Sequence, residues 1–278
     1  MESVFFSVII PSLNEEKYIG KLLKSLNKQT YRDFEVILVD GRSDDGTVAV
    51  FEKFRQGLPS AFLLTSEKRN VSHQRNLGAD RARGKYLVFL DADCDIDPTF
   101  LEELHIEAVK RNFPFATTWI RPDSDDTGDK LMVLASNLFQ ELGKSINKPY
   151  AGGYNTIIKK EIFKKIKGFR EDLFISEDFE LALMAKKKGI EVTILKEPQV
   201  VWSLRRFRSI GTLPALRKCA KSLIWTALKG PITQKIFDYP MGGDAHKVDK
   251  KKKIDLTKLD TYLKGIEDLG EKINKLLE

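Results

Sequence analysis

The sequence predicts an α/β domain: a mostly parallel central sheet with helices on both faces, followed by a helical C-terminal extension. Three observations carry this. Short apolar runs, rich in β-branched residues, alternate with amphipathic stretches through the first part of the chain, the pattern of successive βαβ units. Two of the apolar runs end directly on aspartates, Asp40 and Asp91, and open α/β sheets bind ligands at the carboxyl ends of their strands. No GxGxxG follows the first run, which argues against a dinucleotide-binding Rossmann domain.

Residues 4–10 (VFFSVII) read as a strand buried on both faces. Ser12 and Glu15 form a candidate capping box ahead of a helix that places Tyr18, Ile19, Leu22, Leu23 and Leu26 on one face. Residues 35–39 (EVILV) form the second strand, Val48, Phe51 and Phe54 mark the second helix, and residues 61–64 form the third strand. Residues 72–83 read as a helix stopped by a left-handed Gly84, and residues 85–90 (KYLVFL) as the fourth strand. Further on, residues 130–142 and 179–188 are predicted helices, the latter stopped by Gly189, and residues 155–158 and 192–195 are short strands.

The 278 residues suffice for one large domain plus an extension, and a charged fraction of 31% argues against a membrane-embedded protein. Cys94 and Cys219 are too few for a disulfide framework and read as reduced thiols. The start, Met1-Glu2-Ser3-Val4, lacks the features of a signal peptide, and no window reaches the roughly 18 apolar residues of a spanning helix. A cytoplasmic protein is expected. The net charge of +7 equals that of residues 204–232, which hold Arg205, Arg206, Arg208, Arg217, Lys218, Lys221 and Lys229 and no acid. Large apolar residues interleave with these, so an anionic membrane surface on the inner face of the cell membrane is an expected partner. No nucleic-acid motif accompanies the block, and no nucleic-acid partner is expected. A lysine run at 250–253 and an apolar stripe through residues 256–276 at helical spacing follow.

Asp91 and Asp93, one residue apart just beyond a buried strand, suit a hard divalent cation that bridges to phosphate oxygens. Asp91, Asp93, Asp95, Asp97, Thr99 and Glu102 also match the spacing of a calcium-binding EF-hand loop. Ile96 stands where that loop needs glycine and a strand precedes it, so this alternative is rejected.

Four stretches in order, SVIIPSLNEE, VDGRSDDGT, QRNLGADRARGKYLVFLDAD and SEDFELALMAKKKG, together resemble the inverting family 2 glycosyltransferases of the GT-A fold. The resemblance covers about residues 6–202. It implies a nucleoside-diphosphate sugar as donor, UDP- or GDP-linked, and Mg²⁺ or Mn²⁺ as the metal. It also implies roles residue by residue. Pro11, Asn14 and Glu15 sit in the loop over the nucleoside, Asp40 contacts the base, and Arg75 lies near the nucleotide. Asp91 contacts ribose or metal, Asp93 the metal and diphosphate, and Gly152 and Gly153 line the donor sugar. Asp178 is the general base, with Glu177 orienting its neighbours or capping the helix.

Two positions depart from the family pattern. Gly41 and Arg42 stand where a second acid often follows Asp40, which leaves base selectivity open. A histidine that can reach the metal is absent near Ser203, and His246 is the downstream candidate. His73 and His105 read as helix-surface residues. The implied layout is a nucleotide-sugar part at 1–111, an acceptor part at 112–202 and a basic helical extension at 203–278. The expected reaction is transfer to a hydroxyl of a glycan or lipid-linked acceptor with inversion. A nucleotidyltransferase and a non-catalytic nucleotide-sugar-binding module are the alternatives. The first lacks a Gly-rich phosphate loop, and the intact acids Asp91, Asp93 and Asp178 argue against the second.

Overall fold

Strand β1 (Phe6–Ser12) shows why a continuous apolar run forms a central strand. Its residues alternate between two cores: Phe6, Val8 and Ile10 pack on one side of the sheet and Ile9 on the other. The computed structural model describes residues 4–145 and 149–237; His246, the 250–253 lysine run and the 256–276 stripe lie outside them. Helix α1 (Ile19–Asn27), β2 (Phe34–Asp40), α2 (Thr47–Arg55), β3 (Ala61–Thr65), α3 (Val71–Arg81) and β4 (Tyr86–Phe89) complete the first half. β3, β2, β1 and β4 are neighbours in that order, all parallel. The alternating elements produce this because a parallel pair needs a crossover, and the helix is the crossover.

The second half extends the same sheet. It runs through β5 (Asp95–Ile96), α4 (Phe100–Arg111), β6 (Phe115–Pro122), α5 (Thr127–Ser145), β7 (Thr156–Lys159), α6 (Lys160–Lys165), α7 (Glu177–Lys187) and β8 (Val192–Trp202). The segments α8 (Arg205–Ile210) and α9 (Thr212–Lys229) follow. The full strand order is β3-β2-β1-β4-β7-β6-β8-β5. β7 runs antiparallel to both β4 and β6, β6 and β8 are parallel to one another, and β5 is antiparallel to β8. The sheet is therefore mostly parallel, as expected, with β7 and β5 reversed. α1, α2 and α4 supply one core, and α3, α6 and α7 the other, so helices cover both faces. Among the described residues no helix is long and apolar enough to cross a membrane.

Several local expectations are corrected. Ser12 and Glu15 do not form a capping box: Ser12 ends β1, and α1 begins only at Ile19 without a side-chain cap. Asn14 adopts a left-handed conformation that turns the chain, and the Glu15 carboxylate is bound elsewhere. Gly84 is not a left-handed stop, since it is absent from the positive-φ glycines. It is needed for close packing: a β-carbon there would lie 2.5 Å from the backbone nitrogen of Ser7. β8 spans eleven residues rather than four, because β6 continues alongside it past an irregularity between Thr118 and Ile120. At that irregularity Asn137 takes the place of a strand partner. Its Oδ1 accepts from the Ile120 N–H at 3.0 Å and its Nδ2 donates to the Ile120 carbonyl at 2.8 Å. β6 itself (FATTWIRP) carries no clear apolar alternation that would mark it as a strand from the sequence.

The residues of the rejected calcium loop disperse. Asp95 pairs with Lys21, Asp97 with Arg121, and Glu102 accepts from the Thr30 hydroxyl. His105 is half-buried and stacks on Tyr31 at 4.6 Å, and His73 is half-buried with Nδ1 3.0 Å from Glu171. Neither is simply a surface residue.

Candidate active site

The site forms where β1, β2 and β4 end. Pro11 and Ser12 close β1 in register with Val39 and Asp40, and Asp91 follows β4. Asp40 is buried, and its carboxylate organises two loops. It accepts from the Ser12 hydroxyl at 3.3 Å, the Ser43 hydroxyl at 2.6 Å and the Ser43 N–H at 2.9 Å. Ser43 in turn accepts from the Asn14 N–H, and the Asn14 side chain accepts from the Asp44 N–H at 2.8 Å. Pro11, Asn14 and Asp40 thus share one polar corner.

Helix α3 explains why a stretch as polar as QRNLG folds inward. Gln74 donates to the carbonyls of Ser12 and Val39 at 2.7 and 2.8 Å, joining the ends of β1 and β2. Asn76 donates to the Phe169 carbonyl and accepts from the Phe169 N–H. Gly78 lies against Ile9, where a β-carbon would come within 2.5 Å. Between them Arg75, 2% exposed, reaches the site. Its Nη2 donates to Asp91 Oδ1 at 2.9 Å and its Nη1 to Glu177 Oε1 at 2.7 Å, and its guanidinium lies over the Phe169 ring. Burial opposes its charge, but Asp91 and Glu177 more than offset this and raise its pKa. Gly153 has no room for a β-carbon, which would fall 2.5 Å from Arg75 Nη2.

Asp91 and Asp93 lie on a turn closed by the Cys94 N–H on the Asp91 carbonyl at 3.1 Å. Ala92 and Cys94 point into the core, leaving the two carboxylates toward the cleft. Asp93 Oδ2 receives Arg205 Nε at 2.8 Å. The same guanidinium holds both oxygens of Glu15, at 2.8 and 2.7 Å, and lies over the Tyr18 ring at 4.1 Å. Burial raises the Glu15 carboxyl to about 7 and raises Asp93 as well, with Arg205 opposing both shifts. Arg206 is close enough to feel the charges of Asp91 and Asp93.

Asp178 sits in the first turn of α7, two residues beyond the N-cap position at Ser176, so it is not the cap. Its Oδ2 accepts from the Gly153 N–H at 3.0 Å and the Tyr150 hydroxyl at 3.3 Å, and its Oδ1 from the Phe179 N–H at 2.7 Å. Burial, then the Glu177 charge, lift its pKa from 3.8 to about 6, against the Gly153 N–H and Arg75.

These contacts form three groups, Glu15–Arg205–Asp93, Asp91–Arg75–Glu177 and Asp178–Gly153, which the backbone joins because Asp91 and Asp93 share one turn and Glu177 directly precedes Asp178. Gly152, adjacent, completes the turn by accepting from the Thr156 hydroxyl and the Asn155 N–H. His246 lies outside the described residues. Sequence reasoning missed Gln74, Asn76, Tyr150 and Arg205; the first two lie beside Arg75 in a motif already singled out. Arg205 opens the basic block three residues after β8, the place of the absent histidine.

Could these residues hold a divalent cation? Among the described residues no group of three or more His, Cys, Asp or Glu side chains is placed to do so. Mg²⁺ commonly takes only one or two carboxylates, with substrate phosphates and water completing its shell. Asp91 and Asp93 fit that shared arrangement, with Arg205 the competing cation on Asp93.

The glycosyl transferase family 2 profile matches residues 7–167. The chain is similar to the amylovoran biosynthesis glycosyltransferase AmsB of Erwinia amylovora, 28% identical over 291 residues, 95% of this chain and 89% of that protein. Its fold resembles Staphylococcus aureus TarS 1-349 in complex with UDP-GlcNAc (TM-score 0.61, 24% identity, 72% of this chain, 58% of that one). It also resembles the mannosyltransferase PcManGT of Pyrobaculum calidifontis in complex with GDP-Man and Mn²⁺ (TM-score 0.62, 22% identity, 81% and 65%). With the GT-A fold of its structural neighbours, its profile match across the strand-end acids, and relatives that are themselves glycosyltransferases, the chain belongs to glycosyl transferase family 2 and is a glycosyltransferase.

Proposed function

We propose that this glycosyltransferase moves a sugar from a UDP- or GDP-linked donor to a hydroxyl of a glycan or lipid-linked acceptor, with inversion and with Mg²⁺ or Mn²⁺ on Asp93. The nucleotide part is residues 1–111 and the acceptor part 112–202. One observation carries the reading: Asp178, with its raised pKa, is joined through Glu177 and Arg75 to Asp91 and so to the metal acids. The acceptor oxygen attacks the anomeric carbon, the bond to the diphosphate breaks, and Asp178 takes the hydroxyl proton. The cation, when bound, offsets charge on the departing diphosphate. Pro11, Asn14 and Asp40 form the nucleoside corner, and Gly152 and Gly153 border the donor sugar. The Mn²⁺ and nucleotide sugar held by the mannosyltransferase neighbour support the choice of donor and metal.

The decisive experiment is calorimetry with UDP and GDP, with and without Mn²⁺. Asp93→Ala should remove the metal-dependent part of nucleotide binding and abolish turnover. Unchanged metal-dependent binding in that variant would place the cation elsewhere.

A surface feature favours a membrane-associated acceptor. α5 exposes Leu131, Leu134, Leu138 and Leu142 at helical spacing, with Phe139 beside them. α9 exposes Arg217, Lys221 and Lys229. Three arginines of the expected membrane segment are excluded from this surface, because Arg205 and Arg208 form internal ion pairs and Arg206 faces the site acids. Gly211 also divides the segment into two helices. In a flotation assay the protein should rise with vesicles containing phosphatidylserine and be released by salt. Absence of salt-sensitive flotation removes the membrane reading.

A further inference from the structure

Arg205 is held by three carboxylate contacts, two to Glu15 and one to Asp93, with its face on Tyr18 and its side chain only 16% exposed. The helix that carries it is anchored separately. Arg208, one turn on, spans Asp123 at the end of β6 and Asp129 in α5. The first arginine can therefore leave its partners without detaching α8. A divalent cation on Asp93 would stand against the guanidinium that Arg205 already holds at 2.8 Å from that carboxylate, and the two positive charges repel.

Resting on Asp93 as the metal ligand, we propose that Arg205 is the resident counter-ion of Asp93, which yields that carboxylate to the cation and then pairs with the diphosphate of the nucleotide. Until the cation arrives, the guanidinium keeps two buried acids paired, which would otherwise face each other across the cleft. Once displaced, it remains beside the cation on a flexible stem with donors suited to phosphate oxygens. One side chain thus couples cation binding to diphosphate binding.

This account makes Arg205→Gln change two affinities in opposite directions. Mn²⁺ alone, followed by the loss of the free-ion electron paramagnetic resonance signal, should bind on the order of tenfold more tightly, because no charge-assisted hydrogen bond has to be broken. UDP or GDP at saturating Mn²⁺ should bind on the order of tenfold more weakly, because the diphosphate has lost a partner. A variant that merely misfolds would lose both. Arg205→Lys keeps the charge without the planar fork, and should bind Mn²⁺ with an affinity between the two. Wild-type Mn²⁺ affinity in Arg205→Gln overturns the exchange. Metal-dependent nucleotide binding that survives Asp93→Ala overturns the metal assignment itself. If neither wild type nor Arg205→Gln binds Mn²⁺, with or without nucleotide, both fall.

Discussion

Asp178→Asn should fold, bind donor and fail to transfer sugar. The substituted amide keeps one oxygen, which can still accept from the Gly153 N–H, and loses an acceptor facing either that group or the Phe179 N–H. One hydrogen bond is worth about 1 kcal/mol, so the melting point should fall by only a few degrees. Donor affinity should persist because Asp91, Asp93 and Arg75 are untouched. Transfer should drop by roughly 10²–10⁴-fold, the usual contribution of a general base. The wild-type pH profile supplies an independent check. Burial, then the Glu177 charge, hold its pKa at about 6 against the Gly153 N–H and the Arg75 guanidinium. Only the carboxylate accepts a proton, so kcat should fall as pH drops through about 6. The stability term runs the opposite way to activity. The folded state binds this proton more tightly than the unfolded chain, so the stability it confers at low pH is lost as pH rises from 3.8 through about 6. An Asp178→Asn enzyme with near wild-type turnover would transfer the role to Glu177.

Arg75→Ala should damage both stability and binding, with the larger stability effect of the two substitutions. It removes a guanidinium that is 2% exposed and bridges Asp91 and Glu177. Breaking a buried pair costs about 3–5 kcal/mol when the remaining charge stays buried. Glu177, with its side chain 15% exposed, meets that condition, whereas Asp91 at 36% can recover water, so a loss of about 3 kcal/mol is expected. Denaturant unfolding measures this as a lower midpoint. Arg75→Lys should recover only part of it, because an ammonium cannot present the planar fork that serves two carboxylates and lies on Phe169. A midpoint within experimental error of wild type for Arg75→Ala would show that the bridge carries no net stability.

The parallel half of the fold was legible because its signals are local. A run such as VFFSVII is buried on both faces whatever its partners are, and a helix between two such runs forces a parallel crossover. The family motifs were legible for a related reason. Each is a short segment, and Gln74, Arg75 and Gly78 stand within one helical turn of each other while serving different neighbours. The capping box failed because Ser12 to Glu15 has the right residue types, yet the left-handed turn at Asn14 and the pull of Arg205 decide where the helix begins. β6 and the long β8 escaped because their pairing satisfies backbone groups rather than following apolar periodicity, with Asn137 repairing the break at Ile120.

By itself the sequence determined the order of strands and helices in the first half, the placement of Asp40 and Asp91 at strand ends, and the family resemblance carried by four motifs. Only the tertiary structure decided what those acids touch. Arg205 lies 190 positions from Glu15 and 112 from Asp93, and no local pattern distinguishes it from the exposed Arg217, Lys221 and Lys229 that follow it. Its identity as a site residue comes from β8 returning alongside β6, which delivers α8 to the mouth of the cleft, where burial leaves a guanidinium no better partners than the carboxylates at the ends of β1 and β4.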